Sequence, residues 1–268
     1  SDDPSQPIKT HSLVRIASNY ARMAGTLVLG LWLVRLLLSF GSDAYAVIVL
    51  LVAGQSLATA LKSMTLQSVV PCLGRAFHAD DTAEFGRTYN TALTACVVMA
   101  FATGGVFSIF LLALPWFRIP AELLVAAQCF VVAKALKACI GVATCPTFSM
   151  YMVGRKMGQY NLWVFLERAS EVGGAVLVLH VLPFETESAR IIAYGCASSG
   201  LSICALIASI VIIASRDRRL WPAPWKFDRA AFMELMRSTV ANSSVVVSNN
   251  MDFRVDALIL NASLGLFG

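Results

Sequence analysis

The sequence predicts an all-α membrane protein, and composition and segment length both support that prediction. Apolar residues make up 57% of the 268 residues and charged residues only 14%, against about a quarter in soluble domains. The apolar residues form seven segments, each long enough to cross a bilayer core of ~30 Å as a helix. Strands of a membrane barrel would alternate apolar and polar residues over about ten positions, which these segments do not.

The predicted membrane helices follow one another with short connections. Residues 1–18 are a polar tail that contains prolines, and a Gly-Ser-Asp turn at 41–43 separates the first two spans. The polar stretch 72–88 predicts a surface hinge or a short amphipathic helix. Trp116 lies in a proline-bounded turn at 115–120, which suits a membrane interface. The seven predicted spans cover residues 19–41, 45–70, 89–114, 121–153, 159–182, 189–214 and 232–268.

Basic residues predict the orientation of these spans. Arg118 and Arg190 are the basic residues on one side. The other side has the tail and the links after the second, fourth and sixth spans, and the last of these links is the strongly basic linker at 215–231. By the positive-inside rule this basic side, including the N-terminus, is cytoplasmic. Its basic residues are Lys9, Arg15, Arg75, Arg87, Arg155, Lys156, Arg216, Arg218, Arg219, Lys226 and Arg229.

Several classes of site and function are disfavoured. The net charge of +5 follows the membrane topology, so we expect no nucleic acid partner. The seven cysteines lie mostly within apolar runs without a CxxC or Cys/His pattern, and we interpret them as small core residues. No catalytic or metal-binding motif is visible, so the sequence predicts no enzyme, no metal site and no cofactor. The chain also opens without Met and stops after an apolar run, which predicts a piece of a longer protein.

Charged residues inside the apolar segments are the main functional signal. Left against lipid, ten charges at about 3 kcal/mol each would cost on the order of 30 kcal/mol, more than the stability of a folded domain. They must therefore form pairs or face a hydrated cavity. The ten are Arg35, Lys62, Lys134, Lys137, Glu167, Arg168, Glu171, Asp252, Arg254 and Asp256.

Two interpretations of these charges remain open. In the structural one, Glu167 or Glu171 pairs with Lys134 or Lys137. The same interpretation pairs Arg35 with an aspartate of the seventh span, Asp252 or Asp256.

In the functional interpretation, a central cavity has a cationic wall that receives an anionic head group. Its bases would be Arg35, Lys62, Lys134 and Lys137, and its supporting acids Glu167, Glu171, Asp252 and Asp256. Arg35 could alternatively extend to the nearer head groups. The i, i+4 spacing of Glu167 and Glu171 is also compatible with a coupling ion, H⁺ or Na⁺.

Two stretches of the sequence resemble a known family. The run LWLVRLLLSFGSDAYAVIVL at 31–50 resembles the opening of polysaccharide flippases of the MATE-like (MOP) superfamily, with Arg35, Gly41 and Tyr45 at the matching positions. Ala46 departs from the glycine that is usual after the tyrosine. The run NNMDFRVDALILNASLGLFG at 249–268 resembles the seventh helix of that family, with Asp256 before the aliphatic run.

The resemblance implies a transporter with two six-helix lobes. Residues 19–214 would form the first lobe, 215–231 the cytoplasmic linker and 232–268 the first helix of the second lobe. Such a protein would lie in the cytoplasmic (inner) membrane and move a polyprenyl-diphosphate-linked, anionic oligosaccharide outward for surface polysaccharide or lipopolysaccharide synthesis. Arg35 and Asp256 would line its cavity. Its partners would be the bilayer, this lipid-linked cargo and other membrane proteins of polysaccharide assembly.

Three other functions compete with flipping. A cation-coupled drug antiporter of the same superfamily would prefer an acidic, aromatic cavity, which the four bases disfavour. A membrane glycan polymerase or ligase would need a large catalytic loop outside the cytoplasm, and the connections at 42–44, 115–120 and 183–188 are short. A scaffold without transport activity does not explain the buried bases.

Overall fold

The helices of this protein account for all the regular secondary structure in the part of the chain that is described. The computed structural model describes residues 6–79, 81–182, 184–222 and 227–251, with side chains at 16–55, 60–79, 81–182, 184–222 and 227–241. Short 3₁₀ turns lie at Leu114–Trp116 and Arg218–Leu220. The helices are α1 (Gln6–Leu38), α2 (Ser42–Gly54), α3 (Ser56–His78), α4 (Thr82–Ala113), α5 (Ala121–Ala143), α6 (Cys145–Val153), α7 (Met157–His180), α8 (Glu187–Arg216) and α9 (Arg229–Met251).

Among the described residues, four helices are long and apolar enough to cross a membrane. They cover Ile16–Leu38, Thr82–Trp116, Ala121–Ala143 and Glu187–Arg216, which correspond to the first, third, fourth and sixth predicted spans. The fifth predicted span forms α7, whose three charged residues within five positions make it less apolar. The seventh reaches beyond the described residues.

Two predicted spans are broken helices. The second divides at Gln55 into α2 and α3, and the fourth divides at Thr144 into α5 and α6. Pro146 explains the second break, because it has no N–H to donate to the carbonyl of Val142, four residues earlier. The prediction of continuous helices is wrong at these two places.

The predicted tail and hinge are largely helical. Helix α1 begins at Gln6, within the tail, and α3 continues through Pro71 to His78. Helix α4 begins at Thr82, where the carboxylate of Asp81 accepts hydrogen bonds from the N–H groups of Ala83 and Glu84 at 2.8 and 3.1 Å. Residues 72–78 and 82–88 of the polar stretch therefore belong to α3 and α4.

Glycines permit the close approaches that organise the bundle. A Cβ on Gly174 in α7 would lie 2.8 Å from the backbone nitrogen of Ser198 in α8, so only glycine lets these helices meet. Gly-Gly pairs such as the one at 173–174 are typical of close helix packing, and Gly174 has that role here. A second Gly-Gly pair lies at 104–105 in α4, and around its Gly105 no described residue of another element lies within 4 Å of an added Cβ. Gly41 has φ +126, a turn conformation that L side chains rarely adopt.

Two apolar clusters fill the interior. The first joins α1, α2 and the beginnings of α5 and α8, and contains Phe40, Ile48 and Phe130. The second joins α3, α4, α6 and the end of α8, and contains Tyr89 and Tyr151. Glu167, Arg168 and Glu171 of α7, and Ser198 and Ser202 of α8, fall between the residues of their helices that enter the first cluster and those that enter the second. These side chains form a polar layer between the two apolar clusters.

Candidate functional site

The polar layer surrounds a cavity of about 410 Å³. Side chains from α1, α3, α4, α5, α6, α7 and α8 line it, together with Gln55 at the break between α2 and α3. Its charged lining residues are Lys62, Lys134, Lys137, Glu167, Arg168 and Glu171. Five of these six are predicted site residues. The sixth, Arg168, is predicted as an intramembrane charge but not as a residue of the site.

The wall formed by α7 carries paired charges. Glu167 and Glu171 lie on one face of the helix because they are four residues apart. The two carboxylate oxygens of Glu167 lie 3.5 Å from Nζ of Lys62 and 3.2 Å from Nζ of Lys137. Lys137 also lies 3.8 Å from Glu171, which contacts Arg168 on its other side. The predicted structural pairing is therefore correct for Lys137, and Lys62 replaces Lys134 as the second basic partner.

The wall formed by α8 carries hydroxyl groups and faces Lys134. This lysine is only 6% exposed, and its Nζ donates a hydrogen bond of 2.9 Å to Oγ of Ser198. The rings of Phe130 and Tyr194 lie 5.4 and 5.5 Å from Nζ, at cation–π distance. No carboxylate of the described residues lies within 4 Å of it. Lys134 is thus a buried cation held by a hydroxyl and two aromatic rings.

Ser202 extends the hydroxyl wall into the cavity. It follows Ser198 by four residues, so both lie on the same face of α8. Its side chain is 2% exposed, lines the cavity, and has an Oγ without a hydrogen-bond partner among the described residues. Buried hydroxyls are normally satisfied, so this one is an exception, and it lies beside the cavity although the Oγ itself is buried. The sequence signal for this wall is the i, i+4 serine pair, which carries no charge and so does not stand out among the intramembrane charges.

The cavity has an excess of positive charge. Four cations and two carboxylates line it, which leaves a formal charge of +2 from the described lining residues. Both carboxylates already contact bases, whereas Lys134 has no carboxylate partner among the residues that the structure describes. The arrangement can therefore accept an anion with little rearrangement, and a cation only by displacing a lysine or an arginine.

Arg35 does not lie in this cavity. It belongs to the last turn of α1, its side chain is exposed, and it is absent from the cavity lining. Arg35 therefore does not join the other three predicted bases in this cavity, and its exposed position is compatible with the alternative that it extends towards head groups. Asp252 and Asp256 lie outside the described residues, and so does their proposed pairing with Arg35.

Comparison with known proteins identifies the fold. No protein-family model and no curated protein sequence matches the chain. A crystal structure of a MATE protein in complex with MaD3S is similar over 92% of this chain and 56% of its own, with a TM-score of 0.65 and 14% identity. A MOP superfamily transporter from Pyrococcus furiosus is similar over 94% of this chain and 61% of its own, with a TM-score of 0.62 and 14% identity.

The chain thus spans about three fifths of the length of these two structures. Each structure is similar to nearly all of this chain, including the four helices that are long and apolar enough to cross a membrane. The protein is a multi-pass membrane protein with the MATE-like fold of the MOP superfamily transporters.

Proposed function

We propose that this chain is part of a transporter that moves a lipid-linked anionic oligosaccharide outward across the cytoplasmic membrane by alternating access. The cargo would carry a polyprenyl diphosphate, and the cavity would hold the diphosphate with the first sugar. The observation that carries the proposal is Lys134, a buried cation on the cavity wall without an acidic partner among the described residues. Burying a charge is costly unless a ligand or a partner compensates it.

The cavity chemistry supports phosphate as the group that is bound. A phosphate oxygen accepts charge-assisted hydrogen bonds from ammonium groups and further ones from hydroxyls. Lys134 and Ser202 supply one of each from neighbouring helices. The volume of about 410 Å³ lies within the range of small-molecule sites, and so suits a head group better than a whole lipid.

The same contacts argue against a cation-coupled drug antiporter. Such a protein needs carboxylates that are free to bind a cation, whereas Glu167 contacts two lysines and Glu171 contacts Lys137 and Arg168. The Pyrococcus furiosus neighbour is described by a reversed polarity of its binding pocket. That description supports treating pocket charge as the property that separates cargo classes within this fold.

A comparison of two lipids tests the proposed cargo. The full-length protein in nanodiscs would be titrated with undecaprenyl diphosphate and with undecaprenol, which has the same chain without phosphate. We expect the diphosphate to bind more tightly by about tenfold or more, because hydrogen bonds to charged groups contribute about 1.5–3 kcal/mol. Lys134→Met should remove most of that difference. Equal binding of the two lipids by the unaltered protein would contradict the proposal.

A matched variant and a cellular assay complete the test. Arg87→Gln removes a cation that is exposed on α4 and absent from the cavity lining, so it should leave the preference intact. In a strain that lacks the chromosomal gene, Lys134→Met should lower surface polysaccharide at equal protein level, and Arg87→Gln should not. Wild-type surface polysaccharide with Lys134→Met would exclude a role of this lysine in transport.

A further inference from the structure

A second cavity of about 470 Å³ lies at the ends of three helices. It is bordered by the last residues of α3 and α6, the connection to α7, the end of α8 and the 3₁₀ turn that follows. This is the side of the bundle that the charge distribution predicts to be cytoplasmic. It is separate from the central cavity, because the two share no lining residue among those described.

Basic residues from separate connections converge on this second cavity. Arg155 and Lys156 come from the link after the fourth predicted span, and Arg216 and Arg219 come from the link after the sixth. In the sequence these four residues lie in two separate links and indicate the membrane topology. In the structure they surround one cavity opening. Such convergence is not required by the positive-inside rule, which depends only on the side of the membrane.

The charge of the second cavity is mostly uncompensated. Asp217 is the acid in its described lining, and this carboxylate is engaged by Arg219, with Nη2 to Oδ2 at 2.8 Å. No carboxylate of the described residues lies within 4 Å of Arg155, Lys156 or Arg216. The lining therefore has a formal excess of three positive charges.

The inner surface of the second cavity is apolar. Met150, Val153, Ile213 and Leu220 line it and are between 3 and 6% exposed, as part of the second apolar cluster. The cations lie exposed around this surface. A ligand that fits has an anionic head and an apolar body, a combination that a hydrated inorganic ion does not offer.

The position of the second cavity agrees with such a ligand. Arg216 is the last residue of a helix long and apolar enough to cross the membrane, so the cavity opening lies at the level of the lipid head groups. Arg155 has φ +57, a left-handed conformation that is uncommon for residues other than glycine. Its backbone is held there by hydrogen bonds from the N–H groups of Arg155 and Lys156 to the end of α6. A charged residue therefore occupies a position where glycine would be less strained.

We propose that the second cavity binds the phosphate of an anionic phospholipid, such as cardiolipin or phosphatidylglycerol, from the adjacent leaflet. Arg155, Lys156 and Arg216 would contact the phosphate, and the apolar surface would contact the first part of the acyl chains. Basic pockets between membrane helices bind such head groups in general. This site does not depend on the transported cargo.

Native mass spectrometry of the full-length protein tests this site. The protein would be released from vesicles of phosphatidylcholine with a minor fraction of cardiolipin, and retained lipids would be counted. We expect preferential retention of cardiolipin, and a loss of about tenfold or more in Lys156→Gln/Arg216→Gln, because each basic residue near the surface contributes on the order of fivefold. The control Arg75→Gln/Arg87→Gln removes two exposed cations from the same predicted side, outside both cavities, and should retain cardiolipin within about twofold.

Three results would overturn the proposal. The first is no preference for cardiolipin over phosphatidylcholine in the unaltered protein. The second is an equal loss in both double variants, which would indicate only general surface charge. The third is complete displacement by millimolar inorganic phosphate, which would indicate a site for a free ion. If the double variant does not fold, Arg155→Gly removes one cation, suits the left-handed backbone, and should still weaken retention about fivefold.

Discussion

The charged side chains on the two sides of the central cavity differ in their partners. On the wall formed by α7, Glu167 and Glu171 neutralise Lys62, Lys137 and Arg168 in a continuous network. Lys134 faces the wall formed by α8, where it contacts the hydroxyl of Ser198 and the ring of Tyr194, and it also contacts the ring of Phe130 on its own helix. Intramembrane charges in one protein can therefore have separate roles. Under the proposed function, the paired wall would stabilise the bundle and Lys134 would bind the anionic head group.

The largest effect should come from separating the two walls. Gly174→Leu would place a side chain where a Cβ already lies 2.8 Å from the backbone of Ser198. We expect a loss of about 3 kcal/mol in the free energy of unfolding, because forced overpacking shifts the backbone. Thermal unfolding in detergent would measure it. Gly105→Leu is the matched control, because no described residue of another element lies within 4 Å of its Cβ; equal destabilisation by both variants would refute the close α7–α8 contact.

A smaller effect should follow from breaking the paired wall. Glu167→Gln removes the carboxylate that Lys62 and Lys137 share, and its side chain is 37% exposed. We expect a loss of about 2 kcal/mol, between the values for exposed and buried ion pairs. Glu122→Gln, at an exposed position in the first turn of α5, should cost only a few tenths of a kcal/mol. Unfolding midpoints that agree for the two variants would show that the α7 network contributes nothing to stability.

The smallest effect should come from the hydroxyl wall. Ser202→Ala removes a buried Oγ without a partner among the described residues, so stability should stay the same or rise by less than about 1 kcal/mol. Affinity for undecaprenyl diphosphate should fall by a few fold, about the value of one neutral hydrogen bond. Ser199→Ala is the matched control, because its Oγ is also buried without a partner in the described part of the chain but does not line the cavity. Titration of both variants checks this, and equal affinities would exclude Ser202 as a ligand-binding group.

The sequence predicts the membrane helices well because apolar length is a local property. The helix break at Gln55 has no signal in the local sequence, whereas Pro146 indicates the break at Thr144. The polar stretch 72–88 predicts a surface hinge or a short amphipathic helix because it is hydrophilic, whereas most of it forms the end of α3 and the beginning of α4, with 79–81 between them. Polarity indicates contact with water or head groups, and it does not by itself end a helix.

The partners of each charge could not be predicted from the sequence. Lys134 and Lys137 are three residues apart, which separates them by about 60° around the helix axis. That rotation directs Lys137 towards α7 and Lys134 towards Ser198 in α8, and it can be interpreted only when the neighbouring helices are known. Arg35 was expected in the cavity because bases recur in the spans, but it is exposed on α1 and is not among the residues that line this cavity.

The separation of roles between the two walls can be tested by comparing Lys134→Met with Lys137→Met in the full-length protein. Both variants remove one cavity cation from α5 and keep a similar side-chain volume. For each, the unfolding midpoint and the affinity for undecaprenyl diphosphate would be measured. We expect Lys137→Met to lower the free energy of unfolding by about 1–3 kcal/mol, because Glu167 and Glu171 lose a shared partner. Lys134→Met should leave stability unchanged or higher and should weaken binding by about tenfold or more. Loss of stability without loss of binding in Lys134→Met would contradict these separate roles.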